Sequence, residues 1–339
     1  MAKKPYILTP ENYYEKESNK RYCSVSQYKS FIGCGAYNGC EFKALAEING
    51  DYVRDVSEAL LIGSYVDCAL TEPDKLPQFI EEHPEMIAKT GANKGNLKKD
   101  FVKADMMIAR AKRDPFFMKT LEGETQVIMT GEIEGVPFKI KMDSYKEGKF
   151  ICDLKTCESI TKGYYNPMTG TRDNFIGYYD YITQGAIYQE IVRQNTYSRL
   201  YTIKAFLENE IVFQKDIFAL GNENLTEKEV VERAGEDLSD LLTKQKIAKK
   251  VRYEISFKDT VLPFFISAIS KENEPDLEVI QIDNQTLAEA LEVVKCNVPQ
   301  IEALKSGELE PIHCGRCEWC RKHKVLKNPI SHLEIGGEI

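Results

Sequence analysis

No run of about 18 apolar residues occurs in the chain, so no membrane-spanning helix is expected. The opening stretch, MAKKPYILTPENYY, lacks the apolar core of a signal peptide, and a cytoplasmic protein is the expectation. Positive charge is not in excess: 45 Lys and Arg stand against 53 Asp and Glu, a net charge of −8. That argues against a general polyanion binder but leaves room for a local basic track. There is no internal repeat and no low-complexity segment, which excludes solenoids and disordered tracts. No stretch reads as a base-recognising helix, so sequence-specific DNA binding is not expected.

The 339 residues suffice for a large core, as one large domain or two smaller ones. Ten cysteines are many for a protein of the cytosol, where disulfides are not expected. Cys68, Cys152, Cys157 and Cys296 lie in apolar or strand-like surroundings and read as small buried hydrophobes. His83 and His332 read as solvated surface residues.

Regular patterning begins at SVSQYKSF, where Ser24 can cap a short helix. A glycine-broken loop, IGCGAYNGC, and a second helix from about Glu41 follow. SEALLIGSYVDCAL reads as a buried helix. Phe101, Ala104, Ile108 and Ala111 share one helical stripe, and Asp114-Pro115 restarts a helix. From about residue 124 the period changes. ETQVIMTGEI, VPFKIKMDSY and KFICDLK form a predicted three-stranded antiparallel meander. A helix spans 179–194, strands LPFFISAIS and LEVIQI follow a further segment, and Thr286-x-x-Glu289 opens a long amphipathic helix. Residues 196–260 stand apart: two strand-like runs, then a capping box at Thr226-x-x-Glu229 and a helix of roughly five turns to about Ala248. Mixed strands with flanking helices argue for an α/β or α+β domain.

Within the meander, KMDSYKEGKFICDLKTC places Asp143 nine residues before Asp153-Leu-Lys155. Phe138, Ile140 and Met142 point to one face; Lys139, Lys141 and Asp143 point to the other, and Asp153 and Lys155 share a face. Two carboxylates and a lysine are the minimal kit for metal-assisted phosphodiester cleavage. The carboxylates can hold Mg²⁺, and the lysine can orient a water or meet developing negative charge. A solvated polar strand face would show the same pattern.

CGRCEWC sets Cys314, Cys317 and Cys320 at C-x₂-C-x₂-C spacing, close enough to wrap one soft metal centre, either zinc or an iron–sulfur cluster. His313 and His323, or Cys40 or Cys34 from the other end of the chain, are the candidate completing ligands.

Asp-x₉-Asp-x-Lys followed by Gln-x₃-Tyr on a helix resembles the PD-(D/E)XK nuclease superfamily, in its RecB-like branch. The likeness is to phage and prophage exonucleases with a RecE-type nuclease domain. It is carried in order by SVSQYKSF with GCEFKALAEING, LLIGSYVDCAL, GVPFKIKMDSYKEGKFICDLKT, YDYITQGAIYQEIV, and LPFFISAISKENEPDLEVI leading to CGRCEWCRKHKVL. The resemblance implies an α/β, restriction-endonuclease-like core with a central mixed sheet flanked by helices. Its parts would be an N-terminal helical region (1–120), a catalytic core (121–195), an insertion (196–260), and the rest of the core with the cysteine loop (261–339).

The resemblance also implies roles. Asp143 and Asp153 would bind Mg²⁺ or Mn²⁺, Lys155 would be the catalytic lysine, and Gln184 and Tyr188 would orient substrate or the lysine. Asp67 stands where many relatives place a histidine metal ligand. Cys314, Cys317 and Cys320 match the late ligands of a [4Fe–4S] staple. Cys40, preceding Glu41, is the preferred early ligand, although Cys34 has the better distance from SVSQ. The implied activity is a metal-dependent DNA exonuclease for phage recombination, beside a single-strand annealing protein. A CRISPR-adaptation type end-trimming nuclease and a non-catalytic zinc-binding DNA-interaction protein are the rival readings. Homo-oligomerisation is left open. Two basic stretches are candidate phosphate contacts at sequence-independent DNA ends: Lys94, Lys98, Lys99 and Lys103, and Arg316, Arg321, Lys322, Lys324 and Lys327.

Overall fold

The computed structural model describes residues 6–55, 57–91, 93–235, 238, 251–326, 328–329 and 331–332. Three short helices come first: α1 (Lys16–Arg21), α2 (Val25–Ile32) and α3 (Glu41–Asn49). The tiny hairpin β1 (Gly33–Cys34) and β2 (Tyr37–Asn38) separates the last two. Ser24 caps α2 by accepting the Gln27 N–H. Next come α4 (Glu58–Thr71), α5 (Leu76–Glu82), α6 (Lys99–Lys112) and α7 (Pro115–Thr120). Asp114 caps α7 through the N–H groups of Phe116 and Phe117, and Pro115 sits at the first turn, where its missing N–H costs nothing. The predicted stripe of α6 is buried.

Strands β3 (Glu124–Ile133), β4 (Val136–Lys146) and β5 (Phe150–Cys157) form the antiparallel meander. The hairpin β6 (Tyr164–Asn166) and β7 (Thr171–Asp173), then α8 (Phe175–Tyr178), lead into α9 (Tyr181–Asn195). After an excursion described below, β11 (Phe264–Ser270), β12 (Leu277–Ile282), α11 (Asn284–Ser306) and α12 (Glu318–Lys322) complete the chain. The central sheet runs β12-β11-β5-β4-β3. It is mixed, because β11 pairs parallel with β5 while the other neighbours are antiparallel. This is the α/β architecture expected.

One face of this sheet is sealed by α9 and α11. Phe138, Ile140, Phe264, Ile266 and Ala268 pack there against Ile187, Ile191, Leu287 and Val294. The other face carries Cys152, Leu154 and Ile269 against α4, α6 and α7. The sheet is thus sandwiched, and Lys139, Ser144, Asp153, Ser267 and Ser270 on its strands are buried. Lys139, on the face opposite Phe138, is 1% exposed. It donates to Ser18 Oγ and Asn19 Oδ1 and to the Tyr13 carbonyl.

The excursion is a second small sheet: β8 (Arg199–Leu207), β9 (Glu210–Ala219) and β10 (Val251–Asp259), in the antiparallel order β10-β8-β9. Helix α10 (Glu227–Ala234) covers it, burying Val230 and Ala234 against Tyr201, Ile203 and Ile217. Its two ends meet where the Thr260 N–H donates to the Ser198 carbonyl, and Asp259 pairs with both Arg193 and Arg199. The Thr226–Glu229 capping box is present.

Several details differ from the sequence reading. Helix α10 stops at Ala234, before Gly235 with φ 77°, and most of the stretch expected to continue it to Ala248 lies outside the described residues. Asp283, not Thr286, caps α11; the Thr286 N–H and hydroxyl both reach its carboxylate, so the earlier acid takes the cap. Cys296 is exposed rather than buried. His83 is not simply solvated: its ring stacks on Phe79, and Nδ1 contacts the Phe79 carbonyl. Strands β6, β7 and β10 were not foreseen.

Candidate active site

The site lies where β4 and β5 part. Their ladder is short: Lys146, Tyr145 and Ser144 pair with Phe150, Ile151 and Cys152, and then pairing ends. Parting leaves main-chain groups without ladder partners, and buried ones must be satisfied. The Asp143 carboxylate accepts the Leu154 N–H at 2.8 Å. The Tyr188 hydroxyl, from α9, donates to the Lys141 carbonyl at 2.7 Å. Further along the same strand, Cys23 exchanges hydrogen bonds with Pro137 and Lys139. The gap between the strands is thus held open by side chains, and Asp153 and Lys155 stand at its edge.

Asp153 is 2% exposed. Its Oδ1 accepts from Gln184 Nε2 at 2.6 Å, while Oδ2 forms an ion pair with Lys155 Nζ and has no hydrogen bond of good geometry. Lys155 Nζ lies 5.0 Å from the centroid of the Tyr181 ring. Burial works against the Lys155 charge, but Asp153, Tyr181 and Asp143 outweigh it and hold the ammonium above its ordinary pKa. Asp143 is pushed well above the carboxylate range, first by burial and then by the negative charges of Asp153 and Asp67.

Asp67 reaches the same place from α4. Gln126 Nε2 donates to its Oδ2 at 3.0 Å and Thr71 Oγ1 to its Oδ1 at 3.2 Å. Burial, and then Asp153, push its pKa up to about 6. Gln126 is held at φ 56°, opposite Asp143, where the β3–β4 pairing skips a residue.

Asp67 and Asp143, each pushed up in pKa by burial and neighbouring carboxylates, and Asp153, with a buried oxygen lacking a hydrogen bond, form a donor set suited to a divalent cation with oxygen ligands. Their oxygens do not close into a trio within 4.8 Å; among the described residues only the cysteine group does so.

Gln184 therefore touches the machinery directly, through Asp153. Tyr188 is 8% exposed, and its hydroxyl supports the β4 main chain. Sequence reasoning missed Tyr181, Gln126, Tyr14 and Lys29. Lys29, on α2, is 5% exposed, donates to the Tyr179 carbonyl at 2.8 Å and lies 5.3 Å from the Tyr181 ring. Burial first, with Lys155 adding to it, lowers its pKa to about 8 despite nearby Asp180. Its signal was a lysine between Tyr28 and Phe31 on the inward side of a short helix.

At the far end of the domain Cys40, Cys314, Cys317 and Cys320 bring their sulfurs within 4.8 Å of one another. Cys40 is the N-cap residue of α3 and Cys317 that of α12. The N–H groups of Cys317 and Cys320 donate to the sulfurs of Cys314 and Cys317. Cys34 lies instead in β1. His313 stacks on Phe42, and His323 contacts the Trp319 carbonyl through Nδ1. Glu41 fastens the loop to α3 by accepting the Ile312 N–H. Cys40–Cys320 at 3.6 Å and Cys314–Cys320 and Cys317–Cys40 at 3.8 Å fit four thiolates on one soft metal. A tetrahedron with metal–sulfur bonds of about 2.3 Å has edges of about 3.8 Å. Thiolates on four separate irons stand wider, so a cluster would spread this loop.

Of the second basic stretch, Arg316, Arg321, Lys322 and Lys324 are exposed, and Lys327 lies outside the described residues. Lys94, Lys98 and Lys99 are exposed ahead of and at the start of α6, and Lys103 is half-buried. No helix among the described residues is long and apolar enough to cross a membrane.

A crystal structure from Eubacterium rectale, named "Putative exonuclease", is 37% identical to this chain. The match covers 99% of this chain and 100% of that one, with a TM-score of 0.75. No curated protein matches. The model of the PDDEXK-like domain of unknown function (DUF3799) matches residues 24–250 and 245–323, a span that includes the whole second sheet. The chain belongs to this PDDEXK-like family.

Proposed function

We propose that the protein is a metal-dependent DNA exonuclease that hydrolyses phosphodiester bonds at DNA ends. The observation that carries this reading is the meeting of Asp143, Asp153 and Lys155 at the parted strands, with Gln184 fixing Asp153. The kinship with a structure named as an exonuclease supports it. Asp143, Asp153 and Asp67 would hold Mg²⁺ or Mn²⁺. When bound, such an ion lowers the pKa of water and offsets phosphate charge.

The rest is done by the chain itself. Lys155 keeps its proton at Nζ and offers it as a hydrogen-bond donor to the attacking water or to a phosphoryl oxygen. Gln184 holds Asp153 in one rotamer, so its second oxygen stays turned to the reaction side. Tyr188 and Leu154 keep β4 and β5 apart, which leaves room for the scissile phosphate.

The four cysteines would hold a metal that ties the last segment to α3. Family resemblance implies [4Fe–4S], and the sulfur spacing suits a single zinc. Metal content and visible absorption of anaerobically purified protein choose between them. Work on ends for phage recombination, beside a single-strand annealing protein, is the biological role that goes with this reading.

The test is digestion of end-labelled linear duplex with Mg²⁺ or Mn²⁺, beside a covalently closed circle. Wild type should degrade the linear DNA and spare the circle, and Asp153→Asn should degrade neither. Degradation by Asp153→Asn at the wild-type rate would refute the assignment.

A further inference from the structure

Alongside Lys139 of β4 the surface opens into a cavity of about 240 Å³, whose lining includes Tyr13, Tyr14, Ser26, Gln27 and Arg54. A second cavity, of about 230 Å³, shares Ser30, Ala44, Glu47 and Arg54 with it and extends to Tyr37, Lys43 and Cys40. Together they make one groove, beginning at Tyr14 and ending at the cysteine loop. Tyr14 stands at the catalytic end. Its ring centroid is 5.5 Å from Lys141 Nζ, and its hydroxyl is held above its ordinary pKa by burial and then by Asp143 and Asp67. Even so, the residue is 71% exposed.

The chemistry of the groove suits one class of ligand. Tyr14 and Tyr37 offer exposed aromatic faces. Gln27 lines the groove, and its Oε1 is buried without a hydrogen-bond partner. Arg54 neutralises Glu47, the carboxylate shared by both cavities, and lies 5.9 Å from the Tyr37 ring. At the far end the exposed Arg316, Arg321 and Lys322 supply positive charge. Aromatic faces joined to a track of cations and small polar groups form a single-strand platform, because stacking needs unpaired bases. A blunt duplex keeps its bases stacked on each other and has no use for Tyr14.

We propose that this groove holds a single-stranded stretch of the substrate next to the scissile phosphate, with a base stacked on Tyr14 and the backbone led past Arg54 toward the cysteine loop. This rests on the nuclease reading above and makes the preferred substrate an end with an unpaired strand.

The test measures fluorescence anisotropy of a short labelled oligo(dT) and of a blunt hairpin duplex. Both are bound to Asp153→Asn protein with Ca²⁺ in place of Mg²⁺. In that background Tyr14→Ala should weaken oligo(dT) binding about 5- to 100-fold, the worth of one stacked base. Tyr14→Phe, which keeps the ring, should bind like its parent. Arg54→Gln should weaken binding and flatten the salt dependence by roughly one phosphate contact. Blunt-duplex binding should change less than about twofold, since stacking on unpaired bases is the interaction removed. Unchanged oligo(dT) affinity in Tyr14→Ala, or an equal loss on blunt duplex, would overturn the proposal. Failure of the wild type to cleave any DNA end would instead overturn the nuclease reading, whatever the binding shows.

Discussion

Replacing Cys40 by alanine should be the most damaging cysteine change in this chain, and the reason is topological. Cys314, Cys317 and Cys320 lie within one short loop and can stay on a metal even in an unfolded chain. Of the four metal–sulfur bonds, only that of Cys40 would tie α3 to that loop covalently. It closes a loop of roughly 270 residues, for which the chain-entropy relation gives about 5.6 kcal/mol at 25 °C. That would be a large share of a typical total stability of about 5–15 kcal/mol. With an unfolding entropy of about 2.1 cal/mol/K per residue, the melting temperature should fall by roughly 7–8 °C. Cys34→Ala is the control. Cys34 is also buried and only a few residues away, but it lies outside the group of four, so its loss should cost only about 1 kcal/mol of packing. The assay is anaerobic thermal and urea unfolding of wild type, Cys40→Ala and Cys34→Ala, each with and without chelator. Chelation should bring wild type down to the level of Cys40→Ala and add little to the variant. Equal losses in the two variants, or no effect of the chelator on wild type, would refute the reasoning.

Lys155→Ala should lower cleavage of linear duplex by about 10²- to 10⁴-fold while DNA affinity, read by anisotropy, stays close to wild type. The same change leaves Asp153 without its cation, so the metal-free variant should melt lower and regain stability when Mn²⁺ is added. For Asp67, the raised pKa of about 6 sets a pH dependence. The folded carboxyl binds more protons than the unfolded one between about pH 4 and 6, so metal-free stability should fall as pH rises through that window and level off above it. Metal binding needs the carboxylate, so activity should drop as pH falls through 6, and a pH–rate profile of Asp67→Asn should lose that limb. Tyr188→Phe removes one hydrogen bond, to the Lys141 carbonyl, and should cost about 1–3 kcal/mol with a modest loss of kcat. A loss as large as that of Lys155→Ala would place Tyr188 in the chemistry instead.

Much was legible in the sequence by itself, because its signals are short-ranged. Ser24, Asp114 and the Thr226–Glu229 box sit next to the helix starts they cap. Two-residue alternation marked the meander, and Asp143, Asp153 and Lys155 could be picked out because two neighbouring strands carry them. What local pattern could not rank, contacts between distant segments settled. Cys34 and Cys40 look alike in sequence, and only the packing of α3 against the last loop separates them. Asp143 and Tyr188 also have a structural task that the sequence does not show: Asp143 accepts the Leu154 N–H and Tyr188 donates to the Lys141 carbonyl, because β4 and β5 part there. The parting depends on how many ladder bonds the two strands keep, and pairing ends at Ser144 and Cys152. Lys139 shows the same limit: alternation placed it correctly on the opposite side from Phe138, but only the N-terminal segment packed over it decided that this side is buried.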